Sequence, residues 1–279
     1  ALKPRTALFP YLMRYKGMAG AALVFLTLAA ATTLVLPTAL RRMTDFVSEH
    51  GATPGIQLAH AGRKASSREP WDGGTQIRPD EPRGWQTVSS SNLPHAASDA
   101  PPLSLDLAGL AKVRADFAET ARRAARLGVD GIELHAAHGY LLHQFLSPLA
   151  NQRTDAYGGS LANRMRFPLE VFEAVRAAVP AEVPVWMRLS ATDWVEGGWD
   201  LPSTLTLGHE LKARGCAALH ISSGGVSPLQ KIPLGPGYQV FLAEAGQRLW
   251  QVLPLNPPDR HGSPYQSTSL SACSTALMR

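Results

Sequence analysis

Four short apolar segments, joined by stretches with helical periodicity, constrain the fold of this chain more than any other feature. The segments are "GIQLAH" (55–60), "VDGIELH" (129–135), "VPVWMRLSA" (183–191) and "AALHISSG" (217–224). Strands that alternate with helices predict a parallel sheet, whose catalytic groups lie at the carboxyl ends of the strands. The sequence therefore predicts an α/β fold with about four of the eight βα units of a (β/α)8 TIM barrel.

A helical pattern lies between each pair of consecutive predicted strands. "LAGLAKVRADFAETARRAARLG" (107–128) has apolar residues at spacings of three and four and ends at a glycine. Further helices are predicted at about 161–179, with a bend near Pro168, and at 203–214. A polar loop rich in Pro, Gly and Ser is expected from 62 to about 102.

The N-terminal segment, residues 1–45, differs from the rest of the chain. From Met18 to Leu40 it has 23 residues without a charge, with basic residues on both sides. That length can span a bilayer, and the segment also resembles the first transmembrane helix of an ABC exporter. A hydrophobic N-terminal helix is therefore predicted. A membrane anchor, a signal peptide and a buried Ala/Leu helix are its alternative interpretations.

The C-terminal segment, residues 245–279, has many Pro and Ser residues and shows no strand or helix period. It is predicted to be an irregular, disordered tail. The folded domain is accordingly placed at 46–244.

The charge distribution bears on which partners the protein can bind, and the cysteine content bears on the cellular compartment. The net charge is +5, but the basic residues are scattered and form no run interleaved with aromatics, so no nucleic-acid partner is expected. The two cysteines, Cys216 and Cys273, are too few for a disulfide scaffold and have no metal-ligand spacing. A cytoplasmic location is expected, with membrane anchoring through residues 18–40 as the alternative.

The stretch "IELHAAHGYLLHQFLSP" (132–148) carries the most specific chemistry. His135 ends a predicted strand, and His138 and Tyr140 follow in the next loop. Two neutral imidazoles can donate N–H groups to one oxygen, and a tyrosine hydroxyl can deliver a proton to a neighbouring carbon. A zinc site, which would need a third ligand from elsewhere, and a purely structural role are the alternatives.

This stretch and three others together resemble the old yellow enzyme family of FMN-dependent ene-reductases, in particular its xenobiotic reductase-like branch. They are "GIQLAHAGRK" (55–64), "IELHAAHGYLLHQFLSPLANQRTDAYGGSLANRMRF" (132–167), "VWMRLSATDW" (185–194) and "HISSGG" (220–225). The resemblance covers about residues 46–244. It implies a TIM barrel in which NAD(P)H reduces FMN and the flavin passes hydride to an activated alkene, an enone or a nitro compound.

The resemblance also implies a role for each site residue. His135 and His138 match the pair that binds the carbonyl oxygen of the substrate, and Tyr140 matches the proton donor. Gln57 matches the amide that bonds the pyrimidine edge of the flavin. Arg188 matches the arginine beside flavin N1, where a fixed positive charge tunes the flavin potential. No metal is implied, and homo-oligomers are a further expectation.

Other residues near these motifs are expected to be architectural. His60 and Arg63 are assigned structural roles, and the run after the histidine motif is predicted to form a polar network that fixes its loop to the next helix. The members of that network are Asp155, Gly158, Gly159, Asn163, Arg164 and Arg166.

Two departures from the family pattern leave an alternative open. The hydrophobic helix stands where the family has its first two strands, and the tail stands where the last two strands hold the FMN phosphate. A truncated or fused fragment that does not retain FMN is therefore the rival hypothesis. The dienoyl-CoA reductase branch is disfavoured, because its iron–sulfur cluster needs four ligands.

Overall fold

A computed structural model describes residues 16–251. It begins with helix α1, Lys16–Glu49, which runs through the boundary predicted at residues 45 and 46. Near its C-terminal end, the Arg41 guanidinium donates to the carbonyl of Arg126 (3.0 Å) and the Thr44 hydroxyl to that of Leu127 (3.3 Å). These contacts join α1 to the end of a later helix.

The membrane span predicted for residues 18–40 gains no support from the structure. Among the residues described, no helix is both long and apolar enough to cross a membrane. Much of that segment lies outside the described side chains, and residues 1–15 lie outside the described chain.

A parallel sheet of four strands forms the centre of the fold, as predicted. Its strands are β1 (Gly55–Leu58), β4 (Gly131–Ala136), β5 (Val185–Ser190) and β6 (Leu219–Ser222), in that order. Two two-residue strands, β2 (Val88–Ser89) and β3 (Leu103–Ser104), pair separately within the loop after β1.

Helices cover one face of the sheet. They are α2 (Leu107–Arg126), α3 (Leu141–Leu146), α4 (Leu161–Ala178), α5 (Leu201–Ala213) and α6 (Val240–Gln251). Asp106, Ser160 and Asp200 cap α2, α4 and α5 by accepting a hydrogen bond from a backbone N–H of the first turn. Pro168 lies inside α4, which continues through it without interruption.

The core lies between this face and the helices. Ile132 and Leu134 of β4 and Met187 and Leu189 of β5 are fully buried, as is Phe172 of α4. Successive strand residues point to opposite faces, so the residues between them line the other, concave face. That second face carries polar residues: Gln57, Glu133, His135, Trp186, Arg188, Ser190, His220 and Ser222.

The predicted irregular tail is wrong for residues 245–251, which form the last turns of α6. The helix is amphipathic, and Leu242, Ala245 and Leu249 are buried. The Lys212 ammonium donates to the carbonyls of Leu249 (3.2 Å) and Trp250 (2.9 Å), where the helix ends. Packing of this buried face against α5 therefore stabilises the helix. Residues 252–279 lie outside the described chain.

Candidate active site

The predicted site residues of β4 and β5 lie together at one end of the concave face. His135 of β4 is the direct register partner of Arg188 of β5, and Arg188 is the partner of His220 of β6. Parallel strands place their carboxyl ends at the same edge of a sheet. The loop after β4, which carries His138 and Tyr140, therefore extends over this edge.

The His135 ring is fixed by a backbone hydrogen bond. Its Nδ1 accepts from the N–H of Ala137 at 3.2 Å. An imidazole nitrogen that accepts carries no proton, so the neutral ring holds its proton on Nε2. His135 can therefore donate one N–H group into the site.

His138 lies against His135 and is held by two serines. The ring centroids are 5.1 Å apart in an edge-to-face arrangement. Ser190 Oγ accepts from the His138 backbone N–H (2.9 Å), and Ser222 Oγ lies 2.7 Å from His138 Nε2. If Ser222 donates to Nε2, the proton of the neutral ring is on Nδ1. Both imidazoles then offer one N–H donor each.

Both histidines are neutral at physiological pH. Burial, together with the positive charge of Arg188, lowers the pKa of His135 to about 4 and that of His138 to about 3. Neutral imidazoles are what the sequence predicted for donors to a substrate oxygen. Among the described residues, no group of three or more His, Cys, Asp or Glu could hold a metal ion, so the zinc alternative gains no support there.

These lowered pKa values predict that acid destabilises the fold. Between pH 6.5 and about 3 the unfolded chain binds protons that the folded chain does not, so stability falls as the pH falls through this window. The His138→Gln variant should show a smaller loss of Tm between pH 7 and pH 4 than the wild type. The matched control is His209→Gln, at an exposed position of α5. An equal change in both variants would contradict the assignment.

Tyr140 completes the trio. Its ring stacks on that of His135, with centroids 4.6 Å apart and planes at 29°. Tyr140 is half-buried and precedes α3, a helix that the sequence pattern did not predict. Its backbone N–H donates to the carbonyl of Ala137 (3.0 Å), so the turn from His138 to Tyr140 is tight.

That turn has an unusual backbone. His138 and Gly139 both have positive φ, +55° and +74°, a region that a residue other than glycine enters at some cost. A Cβ on Gly139 would lie 2.2 Å from the carbonyl oxygen of Gly225. The Lys64 ammonium donates to the carbonyls of both His138 (3.0 Å) and Gly225 (3.1 Å). The loops after β4 and β6 are thereby held against each other.

A fully buried pair, His143 and Asp193, packs beneath the turn from His138 to Tyr140, and His143 binds its backbone. The His143 Nδ1 accepts from the Gly139 N–H (2.9 Å). Its Nε2 lies 2.9 Å from Asp193 Oδ1, at ion-pair distance but without the alignment of a hydrogen bond. The other carboxylate oxygen accepts from Ser147 Oγ (2.6 Å) and the Trp199 N–H (2.7 Å). Burial opposes ionisation of Asp193, but these neighbours outweigh it and lower its pKa.

Gln57 lies on the same concave face, but its side chain contacts a residue that the sequence analysis did not select. Its Nε2 donates to Oε1 of Glu133, its register partner. The Gln57 side chain is otherwise exposed. It can therefore still offer polar atoms to a ligand that lies on this face.

Arg188 fits a bound anionic or strongly polar group. Its Nε is buried and has no hydrogen-bond partner among residues 16–251. A buried guanidinium N–H without a partner costs free energy unless a ligand fills that role. The orphaned donor of Arg188 and the exposed amide of Gln57 fit the polar edge of a flavin ring.

The residues expected to be architectural have structural contacts. Arg63 is buried and donates to the carbonyls of Leu93, Pro94 and Val226, and His60 Nδ1 accepts from the Gly62 N–H (3.0 Å). The predicted polar network is also present. Its hydrogen bonds run from Asn163 to the carbonyl of Gly158, from Arg164 to that of Leu146 and from Arg166 to that of Ala156.

Sequence reasoning missed four supporting residues: Glu133, His143, Ser190 and Ser222. The first was detectable, because Glu133 precedes His135 by two residues and a strand of period two puts both on one face. Ser190 and Ser222 are register partners, so strand alignment could have paired them. The pairing of His143 with Asp193 joins residues 50 positions apart, and no local pattern predicts it.

Comparison with known proteins gives a consistent result. Residues 37–224 match the sequence profile of the NADH:flavin oxidoreductase / NADH oxidase family. An NADH:flavin oxidoreductase of Gibberella zeae is 41% identical over 220 residues, which cover 74% of this chain and 53% of that protein. An NADPH dehydrogenase of Listeria innocua is 40% identical over 210 residues, which cover 75% of this chain and 56% of the relative. The chain thus spans about half the length of these relatives.

Solved structures agree with the fold. Morphinone reductase superposes with a TM-score of 0.59 at 29% identity, over 76% of this chain and 58% of its own. The old yellow enzyme homologue from Zymomonas mobilis superposes with a TM-score of 0.57 at 25% identity, over 75% and 58% of the two chains. These neighbours are TIM barrels, so the predicted partial barrel is confirmed.

Proposed function

Because this chain belongs to the NADH:flavin oxidoreductase / NADH oxidase family, we propose that it is an FMN-dependent ene-reductase. It would accept hydride from NAD(P)H and reduce the double bond of a small activated alkene, an enone or a nitro compound. A buried, free Cys216 is compatible with the reducing, cytoplasmic setting expected from the sequence.

One observation carries the proposal. The two neutral imidazoles, the Tyr140 ring and the unpartnered Arg188 Nε lie together at the carboxyl ends of adjacent strands. In α/β barrels this edge is where the chemistry takes place. A ligand bound at this edge could accept from the Arg188 N–H, which has no partner among residues 16–251.

Each residue has a definite task. FMN, when bound, would supply the hydride transfer itself. His135 through Nε2–H and His138 through Nδ1–H would hold the carbonyl or nitro oxygen and stabilise negative charge that develops there. Tyr140 would give its hydroxyl proton to the α-carbon. Arg188 would hold the polar edge of the flavin ring with a fixed positive charge, and Gln57 would bond the same edge.

The visible absorbance of the purified chain tests this proposal. After FMN is added and the sample is dialysed, the wild type should keep a flavin band and oxidise NADPH when an enone is supplied. Arg188→Met should lose most of the band, because the flavin edge then lacks its cation. Arg114→Met is the matched control, since Arg114 is an exposed residue of α2 paired with Glu170.

The opposite result supports the rival hypothesis. A colourless wild-type protein that leaves all FMN in the dialysate would mean that this chain carries the family's site residues without retaining the cofactor. The proposal would then fail for the chain as it stands.

A further inference from the structure

A buried carboxylate on the concave face, Glu133 of β4, accepts hydrogen bonds from the three other strands of the sheet. Glu133 Oε1 accepts from Gln57 Nε2 of β1. Glu133 Oε2 accepts from Trp186 Nε1 of β5 (2.6 Å) and from His220 Nδ1 of β6 (2.8 Å). The Glu133 side chain is only 10% exposed. The cluster contains none of the residues that would contact the substrate.

The charge state of this carboxylate is well defined. Burial alone would raise the pKa of Glu133, but hydrogen bonds from His220, Gln57 and Trp186 outweigh burial and lower it to about 2. An ionised carboxylate has only acceptors. Glu133 can therefore bond the NH₂ group of Gln57 but not its carbonyl oxygen.

This fixes the amide of Gln57 in one of its two orientations. An isolated glutamine can exchange its oxygen and nitrogen positions by rotating its amide. Here one N–H is committed to Glu133, so Oε1 and the second N–H face away from the carboxylate. Gln57 then presents an acceptor beside a donor, which complements a ligand edge where an N–H lies beside a carbonyl.

The backbone around Glu133 leaves room for the Trp186 side chain. The Trp186 ring lies over Gly131 of the neighbouring strand β4 and reaches Gly55 of β1. A Cβ on Gly131 would be 2.5 Å from that ring, and a Cβ on Gly55 would be 3.4 Å from it. The indole reaches Glu133 because Gly131 has no side chain. Trp186 and His220 thus hold the carboxylate from the side opposite Gln57.

We propose that Glu133 is a positioning residue: it orients the Gln57 amide so that its oxygen and one N–H face the imide edge of FMN. This inference rests on the proposed function, because FMN is the ligand whose pyrimidine ring carries that edge. It assigns Glu133 no contact with the flavin or the substrate.

A double-mutant cycle tests the route through Gln57. The dissociation constant of FMN is measured by quenching of flavin fluorescence for the wild type, Gln57→Ala, Glu133→Gln and the double variant. Glu133→Gln should weaken FMN binding about tenfold, because a neutral amide at 133 lets Gln57 adopt either orientation. In the Gln57→Ala background the same substitution should change the constant less than twofold.

Glu170→Gln is the matched control. It makes the same substitution at a half-buried carboxylate outside the site, paired with Arg114, so FMN affinity should stay within about twofold of the wild type. If Glu133→Gln weakens binding as much without Gln57 as with it, or does not weaken it at all, the inference is overturned.

A second readout does not depend on FMN. In ¹⁵N-edited NMR spectra, one side-chain amide proton of Gln57 should exchange slowly in the wild type and rapidly in Glu133→Gln. A wild type that retains FMN but shows no such protected proton overturns the inference alone. A wild type that binds no FMN overturns the proposed function and the flavin-orienting role together, and the NMR result then shows only whether Glu133 orders Gln57.

Discussion

Replacement of Asp193 by alanine is expected to lower the free energy of unfolding by about 3–5 kcal/mol, because it leaves several buried polar groups without a partner, each at a cost of about 1–3 kcal/mol. The Asp193 side chain is fully buried beside His143. Its loss would leave His143, Ser147 Oγ and the Trp199 N–H without their partner, and each buried group that loses its partner carries a desolvation cost. Urea unfolding followed by circular dichroism measures the change.

The matched control is Asp155→Ala. Asp155 pairs with Arg153, but its side chain is 43% exposed, so this substitution should cost about 1 kcal/mol or less. Equal losses in the two variants would show that burial of Asp193 is not the cause. Because His143 also binds the Gly139 N–H, the Asp193 variant should in addition loosen the turn that carries His138 and Tyr140.

Replacement of Tyr140 by phenylalanine is expected to slow alkene reduction by about 10²–10⁴-fold, the usual contribution of a general acid. The reduction of bound flavin by NADPH should be unchanged, because that half-reaction needs no proton from Tyr140. Phenylalanine keeps the ring that stacks on His135 at 4.6 Å, so the loss isolates the hydroxyl. Stopped-flow absorbance measures the two half-reactions separately.

Tyr157→Phe serves as the control for this variant. Its hydroxyl donates to the carboxylate of Glu170 (3.3 Å), outside the proposed site, so both half-reactions should keep wild-type rates. If Tyr140→Phe slows flavin reduction and alkene reduction equally, Tyr140 acts on cofactor binding rather than as the proton donor.

The spacing of apolar residues predicted most of the helices and strands in the described part of the chain. The four sheet strands and the helices α2, α4 and α5 lie where the sequence placed them, with ends that shift by a few residues. The short helix α3 and the whole of α6 were missed. Both are stabilised by packing: every residue of α3 is buried, and Leu249 of α6 packs against Gly208.

The candidate site was also partly predictable. His135, His138, Tyr140 and Arg188 were selected from motifs, and the strand register brings them to one edge of the sheet. Gln57 was selected too, but its partner Glu133 was not. Contacts between residues of different strands depend on which strands become neighbours, and a single sequence does not state that order.

By itself, the sequence determined the class of fold, the order of its elements and the identity of the groups that can do chemistry, because periodicity and residue type are local properties. Only the tertiary structure decided which groups meet and in what state. Burial and Arg188 keep the two imidazoles neutral, Asp193 and His143 hold the turn beneath them, and Glu133 orients Gln57. These are effects of distance and desolvation between residues far apart in the chain, which exist only once the chain has folded.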